Sequence, residues 1–136
     1  RQVDVFVVLD ANLPAVLATA DHLVQVAMNL LINAADAFEN RGESPPAIRV
    51  VSSRHGDYVM FQVFDNAAGM EPEILERVFE ERFSTKGPGR GSGLGLSLCR
   101  SLIEKAGGVI EIFSQPGKGT EVQVRLPIAL PGADLA

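Results

Sequence analysis

Apolar residues alternate along Gln2 to Leu9, with Val3, Val5, Val7 and Leu9 on one side, and this two-residue period predicts a strand. Asp10 to Pro14 turns the chain, and Leu13 to Thr19 is expected to form a second short extended piece. From Asp21 the period becomes helical. Asp21 is the expected N-cap, and Gly42 ends the helix after about Asn40 or Arg41. Ile48 to Ser53 and Tyr58 to Phe64 read as strands joined by a turn at His55-Gly-Asp57. Pro72 to Phe79 predicts a short amphipathic helix, with proline near its start. A second long helix follows over Leu94 to Ala106, stopped by Gly107 and Gly108. Its apolar face is Leu94, Leu98, Leu102 and Ala106, with Cys99 and Ile103 beside them. Val109 to Phe113 and Thr120 to Leu126 complete the strands, around a turn at Pro116-Gly-Lys-Gly119.

The first long helix carries an unusual polar stripe. Stepping about 100° per residue from Asn29, the positions His22, Gln25, Asn33, Asp36 and Asn40 all fall within about 40° of it. Ala27, Leu31, Ala34 and Phe38 fall opposite, flanked by Leu23, Val24 and Leu30. A solvated helix face ordinarily carries Lys, Glu and Arg. Asparagine is a poor helix former, so Asn29 and Asn33 cost stability at mid-helix. Their amide oxygens suit a cation or ligand, and a carbonyl oxygen is a fitting hard ligand for Mg²⁺.

The stretch Gly87-Pro-Gly-Arg-Gly-Ser-Gly-Leu-Gly-Leu96 runs a glycine loop into the start of the second long helix. A helix N-terminus presents unpaired N–H groups and a positive dipole end, and glycines let an anion approach the backbone, so this arrangement suits phosphate. The spacing matches neither GxxxxGK[ST] nor GxGxxG, which excludes a P-loop and a Rossmann domain. Glu80 to Ser92 is too polar and glycine-rich for packed core and is expected to be a mobile lid. Within it, Lys86 and Arg90 are candidates for contacting phosphate oxygens. Asp65, at the end of a strand and followed by small residues up to Gly69, offers a carboxylate to a ligand lying against the backbone.

Composition narrows the field. The 136 residues make one domain with room for a core. A net charge of −5 argues against nucleic acid as a partner and against direct membrane contact. The single cysteine cannot form an internal disulfide and reads as core packing. No apolar run approaches transmembrane length, so the expected location is cytoplasmic, with any membrane anchor elsewhere in a longer parent.

Taken in order, these stretches resemble the catalytic and ATP-binding domain of bacterial sensor histidine kinases, relatives of gyrase, heat-shock chaperones and mismatch-repair ATPases. Asn29 to Ala37 is similar to the N box, Asp65 to Gly69 to the first glycine box and Val78 to Phe83 to the phenylalanine box. Gly91 to Leu96 is similar to the second glycine box and Gly117 to Thr120 to the third. The resemblance implies an α+β fold of the Bergerat type, a two-layer sandwich with helices on one face of a mixed sheet. It implies that residues 1–127 form the catalytic domain and 128–136 a linker or tail. Asn33 and Asn29 would serve Mg²⁺ and the phosphates, and Asp65 the adenine amino group. The backbone of Gly91, Gly93, Leu94 and Gly95 would wrap the phosphates, and Thr120 would sit near adenine. Asp36, Gly69 and Leu96, within the same boxes, belong to the implied ATP site. The implied activity is transfer of the ATP γ-phosphate to a histidine on a separate dimerisation domain. The implied partners are that domain and a response-regulator receiver domain. Neither His22 nor His55 stands in the family's phosphoacceptor context.

Two departures from the family pattern carry consequences. Ala67 replaces the first glycine of the usual Asp-x-Gly-x-Gly, and an added methyl can crowd a nucleotide or forbid a positive φ. The alternative implied by Ala67 is a degenerate regulatory or docking domain with weak or no nucleotide binding. In hydrolysing relatives a glutamate precedes the magnesium asparagine by four residues. Here that position is Asn29, the one catalytic candidate, which cannot take a proton from water. This favours a kinase over an ATPase.

Overall fold

The computed structural model describes residues 3–38, 45–80 and 95–129. Strand β1 (Asp4–Val8) precedes helix α1 (Ala20–Asp36), strands β2 (Ala47–His55) and β3 (Tyr58–Asp65), and the single turn α2 (Pro72–Leu75). Helix α3 (Gly95–Lys105) and strands β4 (Val109–Ser114) and β5 (Thr120–Pro127) complete the order. The five strands form one sheet in the order β1-β2-β3-β5-β4. β1 pairs parallel to β2 and every other pairing is antiparallel, so the sheet is mixed as expected.

Cross-strand register decides which side chains share a face. Val50 stands opposite Val63 and Val63 opposite Val122, while Phe61, Val124 and Ile110 form a second row. These rows meet the helices in one core with Val26, Leu30 and Ala34 of α1 and Cys99, Leu102 and Ile103 of α3. The other face is a mixed polar lattice. Arg49 lies over the Phe64 ring at 4.6 Å, Gln62 and Gln123 both donate to Glu121, and Arg125 pairs with Glu111.

The element bounds depart from the sequence expectations at several points, each with a local cause. Thr19, not Asp21, caps α1: its backbone is extended and its Oγ1 accepts from the His22 amide at 3.2 Å. Asp21 instead sits in the first turn, where its charge complements the helix dipole. α1 ends at Asp36 with Ala37 as its C-cap and Phe38 in a turn, short of the expected Asn40 or Arg41, which fall outside the described residues. The core face of α1 is centred on Val26, Leu30 and Ala34 with Phe38 beyond the helix end, whereas Val24 is 61% exposed. Helix α2 is shorter than the apolar pattern implied, because the chain goes over into three-residue turns, Arg77 N–H to Ile74 and Glu80 N–H to Arg77. Between Leu13 and Thr19 the only pairing among the described residues is an isolated bridge from Val16 to Ile128, flanked by Ala129 N–H donating to Ala15. α3 closes as its glycines indicate: Gly107 N–H bonds to Glu104 and Gly108 N–H to Ile103, the paired bonds of a Schellman end.

Candidate functional site

Three side chains line up at one end of the sheet. Asp65, the last residue of β3, pairs with Thr120, the first of β5, and Thr120 pairs with Ser114, the last of β4. They lie two positions beyond Val63, Val122 and Ile112, so they continue the face that meets the helices, and that face changes there from apolar to polar. Ser114 Oγ lies 2.8 Å from Thr120 Oγ1.

Two turns lock together beneath this row. Asp65 Oδ1 accepts the Ala67 amide at 3.0 Å, which folds residues 65–67 into an Asx-type turn. Asn66 anchors that turn to the start of β2. Its Oδ1 accepts from the Ala47 amide at 2.9 Å and its Nδ2 donates to the Pro45 carbonyl at 3.1 Å. From the other side, Gly117 N–H donates to Ala68 at 2.6 Å, and the Met70 amide donates to Ser114 Oγ at 2.9 Å. The approach is backbone to backbone. A methyl at Gly69 would overlap the Gln115 carbonyl, and one at Gly119 would overlap the Asp65 carbonyl. Both glycines also hold φ near +80°, at +75° and +82°, a region L side chains rarely enter. Gly69 is therefore required by packing of the first turn on the second.

Ala67 is 1% exposed and belongs to the hydrophobic core. Its methyl packs inward beneath the turn.

On α1, Asn29, Asn33 and Asp36 are half-buried at the border of the core face. Asn29 meets Cys99 of α3. The thiol, fully buried, donates toward the Val26 carbonyl at 3.9 Å, and the Asn29 side chain lies beside the sulfur. Burial pushes the Cys99 thiol above its usual 9.0, and the Asn29 side chain opposes that only in part.

α3 begins at Gly95, and Leu96 packs partly buried against the core. Asp65, Gly69 and Thr120 thus come together directly, and Asn29 joins the first turns of α3 through Cys99. Lys86, Arg90, Gly91, Gly93 and Leu94, with the expected lid, lie outside the described residues. Ser114 and Asn66, which no motif singled out, bond into the same pair of turns. Ser114 was legible only by counting the register back from Asp65 and Thr120 across the turn.

Among the described residues no group of three or more His, Cys, Asp or Glu converges on a metal position. A divalent ion here would be held by amide oxygens, and Asn29 and Asn33, one helical turn apart, are chemically suited to that. A groove of about 440 Å³ lies apart from these residues, along α3 between Phe79 and Lys105, with Arg100 stacked on Phe79 at 5.2 Å. No described helix is long and apolar enough to cross a membrane.

Residues 18–130 match the family model described as histidine kinase-, DNA gyrase B-, and HSP90-like ATPase. The chain is 44% identical over 115 residues to the two-component sensor PprA of Pseudomonas aeruginosa, covering 82% of this chain and 12% of that one. The nucleotide-free catalytic domain of the histidine kinase ThkA superposes with a TM-score of 0.76 at 30% identity, over 93% of this chain and 79% of that one. Full-length ShkA in complex with AMPPNP superposes with a TM-score of 0.77 at 26% identity, over 98% of this chain and 27% of that one. The chain thus spans about an eighth of the PprA sequence.

Proposed function

Because the chain belongs to the histidine kinase-, DNA gyrase B- and HSP90-like ATPase family, in its sensor-kinase branch, we propose that it binds Mg·ATP and presents the γ-phosphate to a histidine on a dimerisation domain of the same parent protein. The observation that carries this reading is the locked pair of turns that sets Asp65 beside Thr120 at the polar end of the sheet. In this reading Asp65 accepts from the adenine amino group and Thr120 lies beside it. Asn33 and Asn29 would hold a magnesium ion through their amide oxygens, and the ion would supply charge to neutralise the phosphates. Gly95 and Leu96 begin α3, whose N-terminal N–H groups face phosphate oxygens, continuing Gly91, Gly93 and Leu94; Lys86 and Arg90 add charge. Asp36 and Gly69 support the two ends of the site. Catalysis by such a domain is positioning and charge neutralisation. Asn29 supplies no base for water, which favours transfer to another nucleophile over hydrolysis. A response-regulator receiver domain is the proposed recipient further along.

Inward packing of the Ala67 methyl supports nucleotide binding over the degenerate, docking-only reading. The test is a calorimetric titration with Mg·ATP, repeated with Asp65→Asn. Asp65→Asn should weaken ATP by about 2–4 kcal/mol, through loss of a charge-assisted bond and a donor facing a donor, and barely affect free triphosphate. No heat of binding in the unsubstituted chain would favour the docking-only domain. Equal weakening of ATP and triphosphate would reject the adenine role of Asp65.

A further inference from the structure

Building on the ATP-binding reading, we propose that Ser114 is a positioning residue: it fixes the proton of the Thr120 hydroxyl and so makes the base-facing end of the sheet an all-acceptor edge. Among the described residues Ser114 Oγ has three partners, the Met70 amide at 2.9 Å, the Gly119 carbonyl at 3.0 Å and Thr120 Oγ1 at 2.8 Å. A serine hydroxyl has one proton and two lone pairs. The Met70 amide can only donate, so it takes one lone pair. The Gly119 carbonyl can only accept, so it takes the proton. What remains for Thr120 is the second lone pair, and the Thr120 hydroxyl must be the donor. The opposite assignment would set Ser114 Oγ against the carbonyl of the buried Gly119 lone pair to lone pair.

Thr120 has then spent its proton inside the protein and offers only lone pairs to a ligand. Its neighbour across the sheet, Asp65, offers carboxylate oxygens. Such an edge accepts from a base that carries an exocyclic amino group. Where that edge meets the exocyclic position it disfavours a 6-oxo purine, whose carbonyl would face the same lone pairs. Ser114 reaches the base only through Thr120, and no motif in the chain marks it.

The experiment has two arms. In the empty domain, nuclear magnetic resonance should detect a slowly exchanging Thr120 hydroxyl proton close to the Ser114 β-protons, absent in Ser114→Ala. In the second arm, the affinities of Mg·ATP and Mg·ITP are measured for the unsubstituted chain, Ser114→Ala, Ser114→Thr and Thr120→Val. Ser114→Ala frees the Thr120 proton to turn toward a carbonyl, so the preference for ATP over ITP should fall about tenfold, one hydrogen bond's worth. Ser114→Thr should restore it. Thr120→Val removes the acceptor without touching the Met70–Ser114–Gly119 bonds and should lower the preference even if Ser114→Ala unfolds. An equal loss for both nucleotides in Ser114→Ala would reduce Ser114 to a structural bond and overturn the proposal. So would a Thr120 proton that exchanges freely. Failure of both nucleotides to bind the unsubstituted chain would instead sink the ATP reading, and the proton measurement would decide the role of Ser114 by itself.

Discussion

Cys99 on α3 is fully buried against α1, its thiol directed at the Val26 carbonyl at 3.9 Å with the Asn29 side chain beside it. One polar side chain of the candidate site thus sits against the core. Burial holds the folded thiol above 9.0, the value it returns to on unfolding. Its neutral form therefore stabilises the fold fully below pH 9, and that stabilisation is lost as pH rises through the folded value. Urea unfolding of the unsubstituted chain and of Cys99→Ala between pH 7 and pH 10.5 should show the stability difference shrinking above about pH 9. A difference that stays constant across this range would mean that the thiol is not held neutral by the fold.

The phase of α1 gives a second prediction. Leu30 is 1% exposed and Met28 is 51% exposed. Leu30→Ala should cost about 2–5 kcal/mol, because it removes packed side-chain volume that the sheet cannot refill. Met28→Gln should change stability by less than about 0.5 kcal/mol. Equal effects in chemical denaturation would mean that the helix is rotated from the position described.

Glycine substitutions separate backbone strain from collision. Gly117 has φ +80° with open space where a methyl would go, so Gly117→Ala should cost only about 1–2 kcal/mol for the left-handed conformation. Gly69→Ala meets the same conformational penalty and also drives into the Gln115 carbonyl. It should be clearly the more damaging in thermal unfolding, and should weaken Mg·ATP as the Asp65 turn lifts. Similar melting temperatures for the two variants would show that the turns can separate cheaply.

Metal dependence tests the amide stripe. Asn33→Ala should weaken Mg·ATP much more than metal-free ATP, and Asn33→Asp should be milder because a carboxylate still offers oxygen to Mg²⁺. Binding that is indifferent to a chelator would remove the cation role of Asn33 and Asn29.

The strands were legible in the sequence because each carries period-two alternation bounded by turn residues, and the His55–Tyr58 hairpin fell where Gly56-Asp57 placed it. The phase of α1 was not, and the reason is compositional. Val24, Met28 and Ile32 make an apolar row on its exposed side, so periodicity could not choose between that row and Val26, Leu30 and Ala34. Thr19 and Asp21 are both good caps, and only the extended backbone at Thr19 decides between them. Asp65, Gly69 and Thr120 fall in stretches that resemble the family's first and third glycine boxes, so the sequence alone pointed to them. It did not point to Ser114, because a serine ending a strand is ordinary until its partners from two other segments are known.

The interlock of residues 66–70 with residues 115–119 has a consequence for motion. Neither turn can leave without breaking bonds held by the other: Gly117 N–H is spent on Ala68, and Met70 N–H on Ser114. The two should open as one cooperative unit, although nearly fifty residues of chain separate them. The amides of Met70 and Gly117 should then exchange with solvent deuterium at a common opening free energy, and slow together when the site is filled. A turn that breathes only with its partner is tuned by a change in either, so dynamics at the base-facing end of this domain are a joint property of two distant segments.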